Sequence, residues 1–170
     1  MRPGTDVTLV SFSKMVGFCK EAAEELAKEG ISAEVVNLRS LRPLDRDAIA
    51  ASARKTNRVV VVEEGWPQAG VGAEISAMVN EDAFDYLDAP VERITGVDIP
   101  MPYAANLEKL ALPQVSDTNA SGTYSDGRRP GRRAKRMDAL RNAGSRENRP
   151  VPSGLRLQTG QTALLVVHLE

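Results

Sequence analysis

The sequence is short of the residues that most independent catalytic sites need. Among its 170 residues there is one Cys and one His, and aromatics make up 4% of the chain. A single Cys excludes a disulfide framework and a four-thiolate zinc site. The one histidine, His168, is the third residue from the end, so residues 1–116 hold none. That stretch therefore cannot supply a Ser-His-Asp triad, a Cys-His pair or a histidine metal site. No apolar run approaches the roughly 20 residues of a membrane-spanning helix. Net charge is also scarce, at -1, which on its own implies no charged partner.

That charge is an average of two unlike pieces. Residues 1–116 hold 12 Lys/Arg and 18 Asp/Glu, a net of -6, and residues 117–170 hold 10 Lys/Arg and 5 Asp/Glu, a net of +5. Nine of the ten basic residues in the second piece are Arg, with Lys135 the exception. A break of this kind inside one chain marks a boundary.

The first piece alternates strand and helix patterns. Residues 7–12, VTLVSF, read as a buried strand, and Ser13 is placed to cap the helix after it. Met15, Val16, Cys19, Ala22, Ala23, Leu26 and Ala27 then recur at helical spacing, and Gly30 is the natural stop. Residues 33–38 form a second strand, and Asp45 caps a helix reaching about Thr56. In 58–64, RVVVVEE, four consecutive Val without alternation predict a strand buried on both faces. A helix from Val71, a strand over 91–96 and a short helix from Tyr103 to Leu110 follow. The expectation is a three-layer α/β/α fold with a mostly parallel sheet.

Pro113 should open one more helix. The residues after Val115 are poor helix formers, and that helix is expected not to develop. Residues 122–150, rich in Gly, Arg and Pro, read as largely disordered. The expected division is a domain over 1–117 and a low-complexity, Arg-rich tail over 118–170, non-native or disordered. Residues 163–169, ALLVVHL, read as a strand or an exposed sticky end.

Few residues in the first piece suggest chemistry. Cys19 lies on the apolar stripe and reads as a small core residue rather than a nucleophile. Glu63 and Glu64 end a strand where open α/β sheets place their sites. They could act as acid and base, but adjacent carboxylates on a strand point to opposite faces, so solvated, interfacial or capping roles are favoured. Gly70-Val71-Gly72 opens a helix after a strand, a weak anion-site signal. The third glycine of a dinucleotide fingerprint is Ile75 here, and a tight loop-to-helix turn is the preferred reading. Arg128 to Arg136, RRPGRRAKR, could bind nucleic acid or a membrane surface, with only Tyr124 nearby for stacking. Non-native sequence is preferred there.

The run VTLVSFSKMVGFCKEAAEELAKEGISAEVVNLRSLRPLD, then KTNRVVVVEEGWPQAGVGAEI, LDAPVERITGVDIPMPYA and LPQV, resembles the C-terminal domain of transketolase-like enzymes. Within them it is most similar to the pyruvate dehydrogenase beta-subunit family, over about residues 1–117. The resemblance implies part of an alpha2-beta2 enzyme that decarboxylates pyruvate on thiamine diphosphate and passes the acetyl group to a lipoyl domain. It implies an alpha subunit, a second beta subunit and a dihydrolipoyl acetyltransferase core as partners, and a mitochondrial matrix location. In the family, the diphosphate and its Mg ion are held by the alpha subunit, and the glutamate that activates the cofactor comes from the beta subunit's N-terminal domain. No catalytic, cofactor or metal residue is therefore expected in this chain, whose Ser125-Asp126-Gly127 is not the thiamine motif.

The acidic residue of the family's LDAP segment, which contributes to docking on the acetyltransferase core, corresponds to Asp88. The expectation is an assembly and docking domain, incomplete at both ends, lacking the last helix and inactive alone. The alternative is a non-enzymatic protein using the basic tail on nucleic acid.

Overall fold

The computed structural model describes residues 2–125. Four parallel strands run β1 (Val7–Ser11), β2 (Ala33–Asn37), β3 (Val59–Val62) and β4 (Glu92–Ile94), in the spatial order β2-β1-β3-β4. Between them lie α1 (Met15–Lys28), α2 (Arg46–Thr56) and α3 (Val71–Ala83), with a single 3-10 turn over Phe84–Tyr86. After β4 come α4 (Ala105–Ala111) and α5 (Val115–Ser125). The three-layer α/β/α arrangement with a parallel sheet is the one the strand-helix alternation predicts.

The sheet is buried on both faces, and the residue pattern shows why. Val7, Leu9, Val35, Val60 and Val62 pack with the Met15, Cys19, Ala22, Ala23 and Leu26 stripe of α1. Val10, Val59 and Val61 pack on the other side with Ile49 and Ala53 of α2 and Ile75, Met78 and Val79 of α3. All four residues of β3 are buried, alternating between the two cores. A single-face strand would have alternated with polar residues.

The helix ends follow local chemistry, with one correction. Asp45 accepts a hydrogen bond from the Ala48 backbone N–H at 3.1 Å, as an N-cap should. Gly30 takes φ +80, the left-handed geometry that a side chain would resist. Ser13, expected to cap α1, does not. Its φ is 53, Lys14 occupies the cap position, and no side chain bonds the first turn.

The larger correction is α5. Its residues are weak helix formers, yet the helix forms because it lies on α1. Thr118 and Ser121 are buried, and a Cβ on Gly122 would come within 2.8 Å of Leu26 Cδ1. Small residues permit this close approach, and the packing outweighs propensity. The start is also fixed locally: the Gln114 N–H donates to Asp117 Oδ2 at 2.9 Å, half of a capping box. The Gln114 amide donates to the Lys109 and Leu112 carbonyls at the end of α4. Arg128–Arg136, residues 163–169 and His168 lie outside the described residues, as do Asp126 and Gly127.

Candidate functional site

The parallel sheet has two unlike edges, and Glu63, Glu64, the Gly70-Val71-Gly72 turn and Asp88 fall on them, with Cys19 in the core. At the carboxyl edge, Glu63 follows β3 and turns inward, while Glu64 turns out. Glu63 is 2% exposed. Its Oε1 accepts from the Gly72 N–H at 3.1 Å and from the Arg93 guanidinium at 3.4 Å. Arg93 also donates to the Pro67 carbonyl at 2.7 Å, so one guanidinium ties the loop to its anchor. A Cβ on Gly70 would fall 2.5 Å from Glu63 Oε1, and one on Gly72 2.7 Å from it. The glycines are there because the carboxylate is.

The fold thus brings the end of β3 and the Gly70-Val71-Gly72 turn into one unit. The first turn of α3 leaves N–H groups without intrahelical partners, and a carboxylate placed there satisfies one and complements the helix dipole. Glu63 thus takes the capping role, and the turn at Gly70-Val71-Gly72 already holds the protein's own anion. A diphosphate does not fit there, because the space and the donor are both taken. Among the described residues no three His, Cys, Asp or Glu side chains gather closely enough to hold a metal ion. The residues present therefore do not fit thiamine diphosphate or its Mg, and no chemical step runs through them here.

Glu64 is half-buried and pairs with Lys14 at 3.3 Å across the mouth of a crevice. The crevice, about 320 Å³, lies between the loops after β1 and β3 and is lined by Phe12, Met15, Trp66 and Val71 among others. These two strands are the ones from which the chain leaves in opposite directions, the place where open α/β sheets form clefts. Cys19 lies in the core beneath, fully buried, and burial pushes its thiol up to about 12, with a lesser opposing pull from the Ser11 hydroxyl. A thiol that stays protonated is a packing group, as the stripe predicts.

At the amino edge stands Asp88, in the turn between the 3-10 helix and β4. Its backbone N–H donates to the Asn57 carbonyl at 2.9 Å, and Asn57 donates from its side chain to the Tyr86 carbonyl at 2.6 Å. The Asp88 carboxylate is 58% exposed and lies 3.5 Å from the Arg58 guanidinium. Beside it Phe84 and Tyr86 are exposed, and the Arg54 guanidinium sits 5.8 Å from the Tyr86 ring centre. A held backbone with an open carboxylate and aromatics is suited to contact with another protein.

Sequence reasoning missed a polar cluster between β1, β2 and α2. Thr8, Ser52 and Thr56 exchange hydroxyl bonds of 2.7 Å. Ser52 donates to Glu34 at 2.6 Å, and Gly4 N–H donates to the other Glu34 oxygen at 3.1 Å. Lys55 pairs with the same carboxylate. Burial pushes the Glu34 carboxyl up, but Lys55, Ser52 and Gly4 outweigh it and hold it below the ordinary range. The nearest thing to a signal was Thr8, a polar residue between Val7 and Leu9 in a buried strand.

The family described as "Transketolase, C-terminal domain" matches residues 1–117. The pyruvate dehydrogenase E1 component subunit beta-1, mitochondrial, of Arabidopsis thaliana is 72% identical over 116 residues, 68% of this chain and 32% of that protein. The corresponding mitochondrial beta subunit of Rattus norvegicus is 58% identical over 117 residues, 68% of this chain and 33% of that one. A split gene transketolase, solved as an inactive beta4 tetramer, shares the fold with a TM-score of 0.59 and 32% identity, covering 73% of this chain and 39% of that one. The chain spans about one third of the length of the curated relatives it matches.

Proposed function

This chain belongs to the transketolase C-terminal domain family, and from that premise we propose that it is the assembly and docking domain of the beta subunit of a thiamine-dependent pyruvate dehydrogenase. The enzyme so built decarboxylates pyruvate and transfers the acetyl group to lipoyl groups, in mitochondria. The observation that carries the reading is the 72% identity over 116 residues to a mitochondrial pyruvate dehydrogenase beta subunit. Within that assembly the domain joins an alpha subunit and a second copy of itself. Thiamine diphosphate and Mg are assigned to other parts of the enzyme by the family resemblance, and at the start of α3 Glu63 already takes the place a phosphate would need.

Asp88 is the docking residue in this reading. An exposed carboxylate on a fixed turn attracts a basic partner domain, here that of the dihydrolipoyl acetyltransferase core. Arg58 at its base orients it without covering it. Charge of this kind acts mainly on specificity and association rate. Co-expression with a pyruvate dehydrogenase alpha subunit tests the assembly. The two should co-purify, and the chain alone should show no decarboxylation with pyruvate, thiamine diphosphate and Mg. Turnover by the isolated chain, or failure to co-purify, would refute the proposal.

A further inference from the structure

We infer that the surface around Asp88 divides docking between two kinds of group: Phe84 and Tyr86 are the apolar anchors that hold a bound partner, and Asp85 joins Asp88 in the acidic rim that draws it in. The partner that fits is a basic domain carrying an apolar side chain beside its cations. This rests on the reading of Asp88 as the docking residue, and adds which groups give the complex its lifetime.

Phe84 and Tyr86 stand on the single 3-10 turn that leads into Asp88, 67% and 50% exposed. These rings are in water, but the turn that carries them is fixed. The Leu87 N–H donates to the Phe84 carbonyl at 3.0 Å and closes the turn. The Asn57 side chain holds the Tyr86 carbonyl. The Arg54 guanidinium lies over the Tyr86 ring while donating to the Asp82 carbonyl at 2.6 Å. A cation over an aromatic face is attracted to it and limits its motion. Aromatic groups fixed before contact lose little freedom on binding, and such groups dominate the energy of an interface once it has closed.

Charge selects the partner. Residues 81–92 carry five acids, Glu81, Asp82, Asp85, Asp88 and Glu92, and no base. The bases that face them are Arg46, Arg54 and Arg58, and each is engaged. Arg46 pairs with Glu81 and Asp82, Arg54 with the Asp82 carbonyl and the Tyr86 ring, and Arg58 with Asp88. Five acids against three bases leave a net of -2, and Asp85, exposed between the two rings in sequence, has no partner among the described residues. An acidic partner is repelled. A purely apolar one would shut Asp85 and Asp88 away from water without compensation, which is costly. A basic residue beside an apolar one meets both demands. Its charge acts during approach, whereas burial of the rings acts only after contact.

The test is surface plasmon resonance of the full chain against the dihydrolipoyl acetyltransferase core. Phe84→Ser combined with Tyr86→Ser should speed dissociation by about tenfold or more and leave association within about twofold. Asp85→Asn should do the reverse, slowing association in the manner of Asp88→Asn, with the difference from wild type shrinking as salt is raised. Tyr86→Phe keeps the ring and should dissociate like the wild type, which separates a lost anchor from a disturbed turn. A wild-type chain that does not bind, or binding indifferent to Asp88→Asn, overturns the docking reading and this inference with it. Binding that depends on Asp88 but ignores the two rings overturns the anchors and leaves the docking reading standing. A normal association rate in Asp85→Asn overturns its place in the rim.

Discussion

At the carboxyl edge of the sheet the loops are bound to one another by buried polar contacts, whereas at the amino edge the turn carrying Asp88 is held by backbone bonds and leaves its charge open. Glu63, Arg93 and Gly72 form a closed unit whose carboxylate faces inward, 3% exposed beside an Arg93 that is 24% exposed. Asp88 and Arg58 form an open one, 58% and 27% exposed. Both are carboxylate–arginine pairs. The difference teaches what such a pair is for: buried, it fixes a loop, and exposed, it offers a charge to something else.

The sharpest way to break the contrast is to remove Glu63. Glu63→Ala strands the Arg93 guanidinium in a site where its Nε is already buried without a partner, and frees the Gly72 N–H. Removing one member of a buried pair costs about 3–5 kcal/mol. Chemical denaturation should show a loss of that size, with Glu63→Gln milder because it keeps the shape and an acceptor. A loss under about 1 kcal/mol, the range of exposed pairs, would place Glu63 with Asp88 and erase the distinction.

Asp88→Asn is the converse experiment. Stability should change by less than about 0.5 kcal/mol, as for a surface substitution. Affinity for the acetyltransferase core should drop at least tenfold, chiefly through the association rate. Calorimetric melts and binding kinetics on the assembled enzyme separate the two effects. Unchanged binding would remove Asp88 from docking.

Acid separates a third carboxylate from both. Glu34 is held below the ordinary carboxylate range in the folded chain. The unfolded chain therefore takes up its proton first, so the stabilisation is complete above the unfolded value and is lost as pH falls through the folded one. Glu34→Gln should flatten the decline in stability on the acid side of about pH 5. An unaltered slope would show that Lys55, Ser52 and Gly4 contribute nothing there.

These contrasts were unequally legible in the sequence. The sheet was readable because Val59–Val62 carries its burial in four consecutive residues and the α1 stripe repeats at helical spacing. Cys19 was readable for the same reason. The Glu63 cap was half legible, since its glycines and its carboxylate are seven to nine residues apart and only folding joins Gly70 and Gly72 to it. The Glu34 cluster was scarcely legible, because beyond Thr8 in β1 its members come from Gly4, β2 and α2 and share no local pattern. Ser13 failed as a cap because its backbone takes φ 53.

The error at α5 has the same cause and supplies the smallest test. Local propensity argued against a helix after Pro113, and the helix exists because α1 receives it. That packing is imperfect at one point. Thr118 is fully buried, and its Oγ1 has no hydrogen-bond partner. A hydroxyl removed from water without a partner costs about 1–3 kcal/mol, whereas a methyl of the same shape costs nothing of the kind. Thr118→Val should therefore stabilise the chain by about 1 kcal/mol, less a small helix-propensity difference. A rise in the denaturation midpoint with an unchanged slope would show that α5 is packed on α1 in solution. No change would mean that the hydroxyl finds water, and that α5 lies more loosely than either edge of the sheet.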